Sequence, residues 1–456
     1  MSKHLLIIGG GSAATTAARA VIARGGRVTL IHEGLPLGGC CLHVGCVPSK
    51  YLIRAAEQNH HCHSSVFPGF TPRGADIDQQ ALFEDLRSNI TALRERNYEH
   101  PLPQLKGLRL IKGWGKLTGP QSVEVNGEKI TGDAVLIATG SRTQLAEAES
   151  LPQEVVLSNE NLFDQKQLPH SVIVIGGGYI AVELSQMMNR LGTQVTTLQR
   201  SGHILSAQPS YLGQGLGEVM RSEGVNLHCG VDLKNLELGG DGVIAHVEID
   251  GQAQTFTAEK VLMSRGRLAN TDQLDLEKAQ ITTGKNGYLE VNERMQTSNP
   301  HVYAAGDVLG GHMLVYTASA EAERVVADLY GEAPSPWEAS SVPWVVFSDP
   351  QIAGVGLSEE EALQQGFNVE CAELSVARWP RFSTVNQRTG FLKMFRDPQT
   401  DTLLGARALC PEAGDLMSEL SLIIRHKLPL TEIANALVPY LTLSEGIQRC
   451  ASNFYD

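Results

Sequence analysis

Twice in this 456-residue chain a short apolar run leads straight into Gly-x-Gly-x-x-Ala and then into a helix-forming stretch. The first copy is Leu5-Leu6-Ile7-Ile8, then Gly9, Gly11 and Ala14, with an alanine-rich segment to about Ala23; Val28 to Ile31 follows as a second strand ending at Glu33. The second copy is Val172-Ile173-Val174-Ile175, then Gly176, Gly178 and Ala181, a helix to about Leu191 and the strand Gln194 to Leu198. Each reads as a βαβ unit with a glycine-rich first turn. Glycine permits the tight turn and lets the backbone approach a pyrophosphate, whose charge is favoured by the N–H groups and dipole at a helix N-terminus. One copy alone would be weak. Two copies, each between a strand and a helix, point to two dinucleotide sites.

The two units differ where the second strand ends. Glu33 suits the hydroxyl pair of an adenosine ribose. The second unit has Gln199-Arg200 there, without a carboxylate and with a cation for a 2′-phosphate. NADPH is therefore expected at the second site, with NADH as the alternative.

A chain of 456 residues suggests about three domains. No apolar run approaches the roughly 20 residues of a membrane span. Met1 to Lys3 leads into the first strand without a basic region or cleavage site, so no signal peptide and a cytoplasmic location are expected. A net charge of -13 argues against nucleic acid and anionic membranes as partners. Eight cysteines do not make a disulfide scaffold in a cytosolic chain of this size, and most should be buried thiols. Cys40, Cys41 and Cys46 stand apart because Gly and Pro flank them. Phe67 to Asp76 reads as a loop, Gln79 to Tyr98 as an amphipathic helix, and Val135 to Ser141 and Val302 to Asp307 as strands ending in small-residue turns. After about Trp337 the pattern changes to strands (Pro343 to Phe347, Gly390 to Phe395, Leu403 to Leu409) and then helices (Ala413 to His426, Leu430 to Ala436), a separate α+β domain. His60-His61-Cys62-His63 lacks a second ligand pair at zinc spacing and reads as the exposed end of a helix.

Cys41 and Cys46 are five residues apart. On a regular helix that is about 500°, roughly 140° past a full turn, so the thiols would not face each other. A bridge between them needs a distorted segment, and Gly45 and Pro48 supply one. A disulfide in such a loop should be more reducible than a structural one.

The run Gly38-Gly39-Cys40-Cys41-Leu42-His43-Val44-Gly45-Cys46-Val47-Pro48-Ser49-Lys50 resembles the redox motif of the class I pyridine nucleotide-disulfide oxidoreductases, which include dihydrolipoamide dehydrogenase, glutathione reductase and mercuric reductase. The resemblance continues through Ala138-Thr139-Gly140, Gly176 to Glu183, Arg265-Gly266-Arg267, Ala305-Gly306-Asp307, Pro350 to Gly356 and Leu441 to Glu445, and so spans the chain. It implies an α/β fold with two Rossmann-like domains, for FAD and NAD(P), plus a C-terminal α+β dimerisation domain. The expected boundaries are 1–145 and 269–335 for FAD, 146–268 for NAD(P) and 336–456 for the interface of a homodimer whose active site is completed by the partner's C-terminus. It implies FAD contacts at Gly9, Gly11, Ala14, Glu33, Gly39, Cys40, Lys50, Gly115, Ala138, Thr139, Gly140, Gly306 and Asp307. NAD(P) contacts fall at Gly176, Gly178, Tyr179, Ile180, Glu183, Gln199, Arg200 and Gly266. Cys46 becomes the flavin-proximal thiol and Cys41 the interchange thiol, with thiolate pKa values lowered by a helix N-terminus and a cation. Lys50 pairs with Glu183 beside the flavin, and Tyr179 covers the flavin face until nicotinamide displaces it. No metal site is expected.

The chain departs from the family pattern at the C-terminus, where the HPTxxE segment with its acid-base histidine reads Tyr440-Leu441-Thr442-Leu443-Ser444-Glu445. A phenol with a pKa of about 10 is a poor base at neutral pH. Mercuric reductases carry tyrosine here, but they also carry a vicinal cysteine pair near the C-terminus and an N-terminal metal-binding domain, whereas this sequence has the single Cys450. Cys40 replaces threonine, and as a third thiol it either packs near FAD, forms an alternative disulfide or offers a soft metal ligand. His43 replaces asparagine and is a candidate substitute base. The leading expectation is transfer from NAD(P)H through FAD and Cys41–Cys46 to a small or protein-bound disulfide, a lipoyl group or another thiol-reactive acceptor. The alternatives are a mercuric-type metal-ion reductase and a non-enzymatic flavoprotein redox sensor.

Overall fold

The computed structural model describes residues 2–240, 242–333 and 339–455. The strand β1 (His4–Ile8), the helix α1 (Ser12–Ala23) and the strand β2 (Arg27–His32) form the first βαβ unit, with β1 and β2 parallel. Leu5, Leu6 and Ile7 are fully buried, as a strand covered on both faces requires. The alanines of α1 pack on Ala322, Val325 and Val326 of the helix Val315–Tyr330. The redox motif folds as two helices, α2 (Gly39–His43) and α3 (Cys46–His63), broken at Val44-Gly45. The expected amphipathic helix is α4 (Gln79–Arg94), whose last turn widens into a π-helix over Glu95–Glu99. The strand β3 (Leu108–Lys112) then closes one edge of a parallel five-stranded sheet with the order Val302–Ala304, Ala134–Ile137, β1, β2, β3. Strands from both ends of the first 333 residues thus share one sheet, and the second βαβ unit is inserted between them.

That insertion builds its own parallel sheet around Ser171–Ile175, with Gln194–Gln199 on one side and Lys260–Met263 on the other. The helix α5 (Tyr179–Arg190) follows the second glycine turn, and α6 (Ser210–Ser222) precedes the strand Asn226–Cys229. The glycine turns of the two units are held the same way. A Cβ on Gly9, at φ +133, would lie 2.1 Å from Ala138 O; one on Gly176, at φ +124, would lie 2.3 Å from Ser264 O. No side chain fits at either position.

From Trp344 an antiparallel sheet runs in the order Trp344–Val346, Gln351–Gly356, Thr402–Cys410, Phe391–Asp397, Glu370–Ser375, packed on the helices Ala413–Arg425 and Leu443–Ser452. This is the α+β domain expected, although the helix expected over Leu430 to Ala436 is shorter, Leu430–Ala434. The expected boundary at 335/336 and the change near Trp337 lie outside the described residues. Among the described residues no helix is long and apolar enough to cross a membrane.

Candidate active site

Both glycine turns open on one cavity of about 940 Å³. Of the expected contacts, Gly11, Cys40, Cys41, Cys46, Lys50, Ala138, Gly140, Gly306 and Asp307 line it, together with Gly176, Gly178, Tyr179, Ile180, Glu183, Gln199, Arg200 and Gly266. Gly9, Ala14, Gly39, Gly115 and Thr139 are not part of this lining. Gly39 approaches Gly11 so closely that a Cβ would lie 2.7 Å from its Cα, and Gly115 packs on Ile31 at the end of β2. Glu33, one residue past β2, is half-buried and outside the lining. The cavity suits dinucleotides. Nothing lies within 4 Å of where a Cβ would project from Gly11, Gly140 or Gly178, so the backbone there is open to a ligand, and the buried Thr139 Oγ1 has no protein partner.

The break at Val44-Gly45 places Cys41 on α2 and makes Cys46 the first residue of α3, so the two thiols meet across a bend instead of pointing around one helix. Pro48 falls in the first turn of α3, where the missing N–H costs no hydrogen bond. The thiol of Cys41 donates to Cys46. That hydrogen bond and the Lys50 ammonium pull Cys46 down to about 7, against desolvation. Cys41 moves the opposite way: its proton is held by the Cys46 sulfur, and burial disfavours its charge. The sequence pattern suggested that both thiols would be lowered. Cys46 is lowered and Cys41 is raised.

Lys50 Nζ donates to Glu183 Oε2 at 2.7 Å. The other oxygen of Glu183 accepts the Phe347 N–H at 2.8 Å, and Lys50 lies 4.8 Å from the centroid of the Phe347 ring. One carboxylate therefore ties α3, α5 and the C-terminal domain together beside the thiols. Further along α5, buried Arg190 pairs with Glu223 at 2.5 Å and with Asp349 at 2.9 Å. Phe347 and Asp349 carried no sequence signal, since the topology alone brings them to α5.

Cys40 turns towards Arg267 and Asn159, with its Sγ 3.9 Å from Arg267 Nη2 and 4.0 Å from Asn159 Nδ2. Burial pushes its thiol up to about 11, so it stays protonated and packs beside the cavity. Arg267 also donates to Ser141 Oγ and O, and Ser141 donates to Asp307, whose carboxyl burial pushes up despite the nearby guanidinium. Arg267 was visible beside Gly266 in the sequence; Asn159 was not, because it belongs to no motif. His43 faces the Leu37 carbonyl at 3.0 Å, and burial lowers its imidazole, so its contacts lend no support to a base role at the thiols. His60 to His63 end α3, and among the described residues no cluster is arranged to hold a metal.

At the second nucleotide cleft, the side chain of Gln199 is buried, near His203 O and Ser206 Oγ. Arg265 is paired with Glu147 at 2.6 Å, whereas Arg200 is exposed and has no carboxylate partner among the described residues. Tyr440 and Glu445 are not at this chain's own cavity. Tyr440 is 69% exposed, and Glu445 is buried, accepting Leu441 N–H at 2.9 Å and Arg449 Nε at 2.7 Å. Cys450 is buried against the Ala372 and Leu392 carbonyls, with its thiol pushed far up by burial, which makes it an inert core thiol.

Residues 3–322 match the family described as pyridine nucleotide-disulphide oxidoreductase, and residues 342–451 match its dimerisation domain. The mercuric reductase of Staphylococcus aureus is 34% identical over 450 residues, 99% of this chain and 82% of that protein. The dihydrolipoyl dehydrogenase of Thermus scotoductus is 31% identical over 455 residues, 98% of this chain and 96% of that protein. The solved HOCl-induced flavoprotein disulfide reductase RclA from Escherichia coli superposes with a TM-score of 0.85 at 26% identity, covering 98% of this chain and 99% of that one.

Proposed function

The chain belongs to the pyridine nucleotide-disulphide oxidoreductase family, a homodimeric, FAD-dependent class that uses NAD(P)H, and from that premise we propose a cytoplasmic NADPH-dependent reductase of a thiol-reactive acceptor. The observation that carries this reading is the Cys41–Cys46 pair, brought together across the break between α2 and α3 beside the Lys50–Glu183 ion pair, in the cavity where both glycine turns meet. Gly11, Gly140, Thr139 and Asp307 would hold FAD, and Gly178 and Arg200 the nucleotide, with Arg200 on the 2′-phosphate. Bound FAD supplies the two-electron relay between nicotinamide and sulfur.

The thiol pair does the rest. Cys41 attacks the acceptor disulfide RSSR, passes its proton to the Cys46 thiolate and expels the first RS⁻, leaving a mixed disulfide. Cys46 then gives that proton to the first RS⁻, attacks the Cys41 sulfur and expels the second RS⁻, which takes the remaining proton from solvent. The overall reaction is NADPH + H⁺ + RSSR giving NADP⁺ and two RSH. This internal base removes the need for the histidine that Tyr440 replaces. The partner's C-terminal segment, bearing exposed Leu437 and Tyr440, would cover the acceptor cleft.

A metal-ion reductase of the mercuric type is the second reading, supported by Pro439-Tyr440-Leu441-Thr442 and by the S. aureus relative. Anaerobic NADPH consumption with lipoamide, glutathione disulfide and Hg(II) offered separately decides between them. Saturable turnover with a disulfide supports the first reading, and turnover with Hg(II) alone the second. Flavin reduction without turnover on any acceptor counts against both.

A further inference from the structure

Tyr179, the first residue of α5, is gripped from two sides. Its ring lies parallel to the Trp344 indole, with centroids 5.8 Å apart and planes at 15°, and Gln208 Nε2 donates to its hydroxyl at 2.8 Å. Gln208 comes from the nucleotide-binding insertion and Trp344 from the C-terminal domain, so neither is a neighbour of Tyr179 in sequence.

Trp344 is itself fixed. It stands directly opposite Gly354 on the next strand, and Gly354 stands opposite Arg407 on the one after. A Cβ on Gly354 would fall 2.5 Å from Trp344 Cζ2 and 2.9 Å from Arg407 Cδ, so the indole lies across a gap that only glycine leaves. The buried Arg407 guanidinium is 5.7 Å from the indole centroid and is held by the carbonyls of Val355, Gly356 and Ala406. A cation at that distance from an indole is attractive and orients the ring. The cross-strand row Arg407–Gly354–Trp344 thus presents a rigid flat face, and Tyr179 rests on it.

We propose that Trp344 and Gln208 form a latch that holds Tyr179 at the mouth of the nicotinamide position, so that nucleotide entry has to break the ring stack. Trp344 is then a positioning residue, acting through Tyr179. The inference rests on the reading of Tyr179 as the side chain in the path of the nicotinamide. A binding-competent state populated only in part weakens apparent affinity by that fraction, and loosening the latch removes the penalty.

The test is equilibrium binding of NADP⁺ to the oxidised holoenzyme, read by the flavin difference spectrum and by indole emission. Replacing Trp344 by Leu is expected to tighten NADP⁺ binding by about three- to tenfold, the worth of an aromatic pair, while Trp344→Phe, which keeps a ring, stays within about twofold of wild type. In a Tyr179→Ala background Trp344→Leu should have no further effect, and NADP⁺ should change Trp emission in the wild type but not in Trp344→Phe. If Trp344→Leu does not fold, Gln208→Leu loosens the same ring from its other side without touching the C-terminal sheet, and tighter binding is again expected. Unchanged or weaker binding in the loosened variant overturns the latch, as does a Trp344→Leu effect that persists in full without the Tyr179 ring. A wild type that binds neither NADP⁺ nor NAD⁺ overturns the nucleotide reading itself, and the latch falls with it.

Discussion

The two glycine units share a backbone but use their helices differently. In the first, α1 buries Ala13, Ala14, Ala17, Ala18 and Val21 against another helix, and at the position matching Glu183 it carries Thr16. In the second, α5 buries Glu183, Ser185, Gln186 and Arg190, and three of these reach the C-terminal domain through Phe347 and Asp349. Buried polar groups cost stability unless they are paired; Glu183, Gln186 and Arg190 are paired across a domain boundary, and Ser185 with Thr197 of the neighbouring strand. The same motif therefore serves once as a nucleotide holder and once as a holder that also links the thiols, the second nucleotide site and the dimerisation domain.

The largest effect tests what lies between the units. Cys46→Ser removes the shared-proton pair, and acceptor reduction should fall by roughly a thousandfold or more, as loss of a catalytic nucleophile does, while FAD remains bound; steady-state NADPH oxidation and the flavin spectrum report both. Next comes the linking role of α5. Arg190→Met leaves Glu223 and Asp349 without their cation and should cost about 3–5 kcal/mol in denaturant unfolding. The matching substitution in the first unit, Ala23→Met, lies on the exposed end of α1 and should stay within about 0.5 kcal/mol. Equal effects would erase the distinction between the helices. At the strand ends, Arg200→Ala should raise KM for NADPH by about tenfold, the loss of one charge-assisted hydrogen bond, and leave KM for NADH nearly unchanged.

Lys50 carries the comparison into pH. The folded pKa of Cys46 is depressed, to about 7, in part by the Lys50 charge, so its thiolate persists above that pH and is lost as pH falls through it. Alkylation of Cys46 in the reduced protein should rise with a midpoint near 7, and Lys50→Met should move that midpoint upward. An unmoved midpoint would assign the depression to the Cys41 hydrogen bond alone.

Both units, the thiol motif and the C-terminal domain were legible because each rests on local chemistry. Glycines stand where no Cβ fits, apolar runs stand where a strand is covered twice, and Gly45 and Pro48 stand where a helix must break. The partners that cross domains were not legible. Asn159 beside Cys40, the Phe347 N–H on Glu183 and the Trp344 ring under Tyr179 carry no periodicity or spacing, because long-range topology alone creates them. The opposite pKa directions of Cys41 and Cys46 were likewise hidden, since spacing does not say which sulfur donates.

The smallest expected effect concerns Tyr440. If the thiol pair carries its own base, the phenol has no proton to move. Tyr440→Phe should then leave kcat/KM for a small disulfide within about twofold, with the pH midpoint still near 7. Glu445 cannot compensate by activating the phenol, since its oxygens are engaged by Leu441 N–H and Arg449. A loss of about tenfold or more, with the dimer intact, would instead make the partner's phenol a proton donor to the leaving thiolate. Shared-proton chemistry would then no longer explain how the chain works without the histidine.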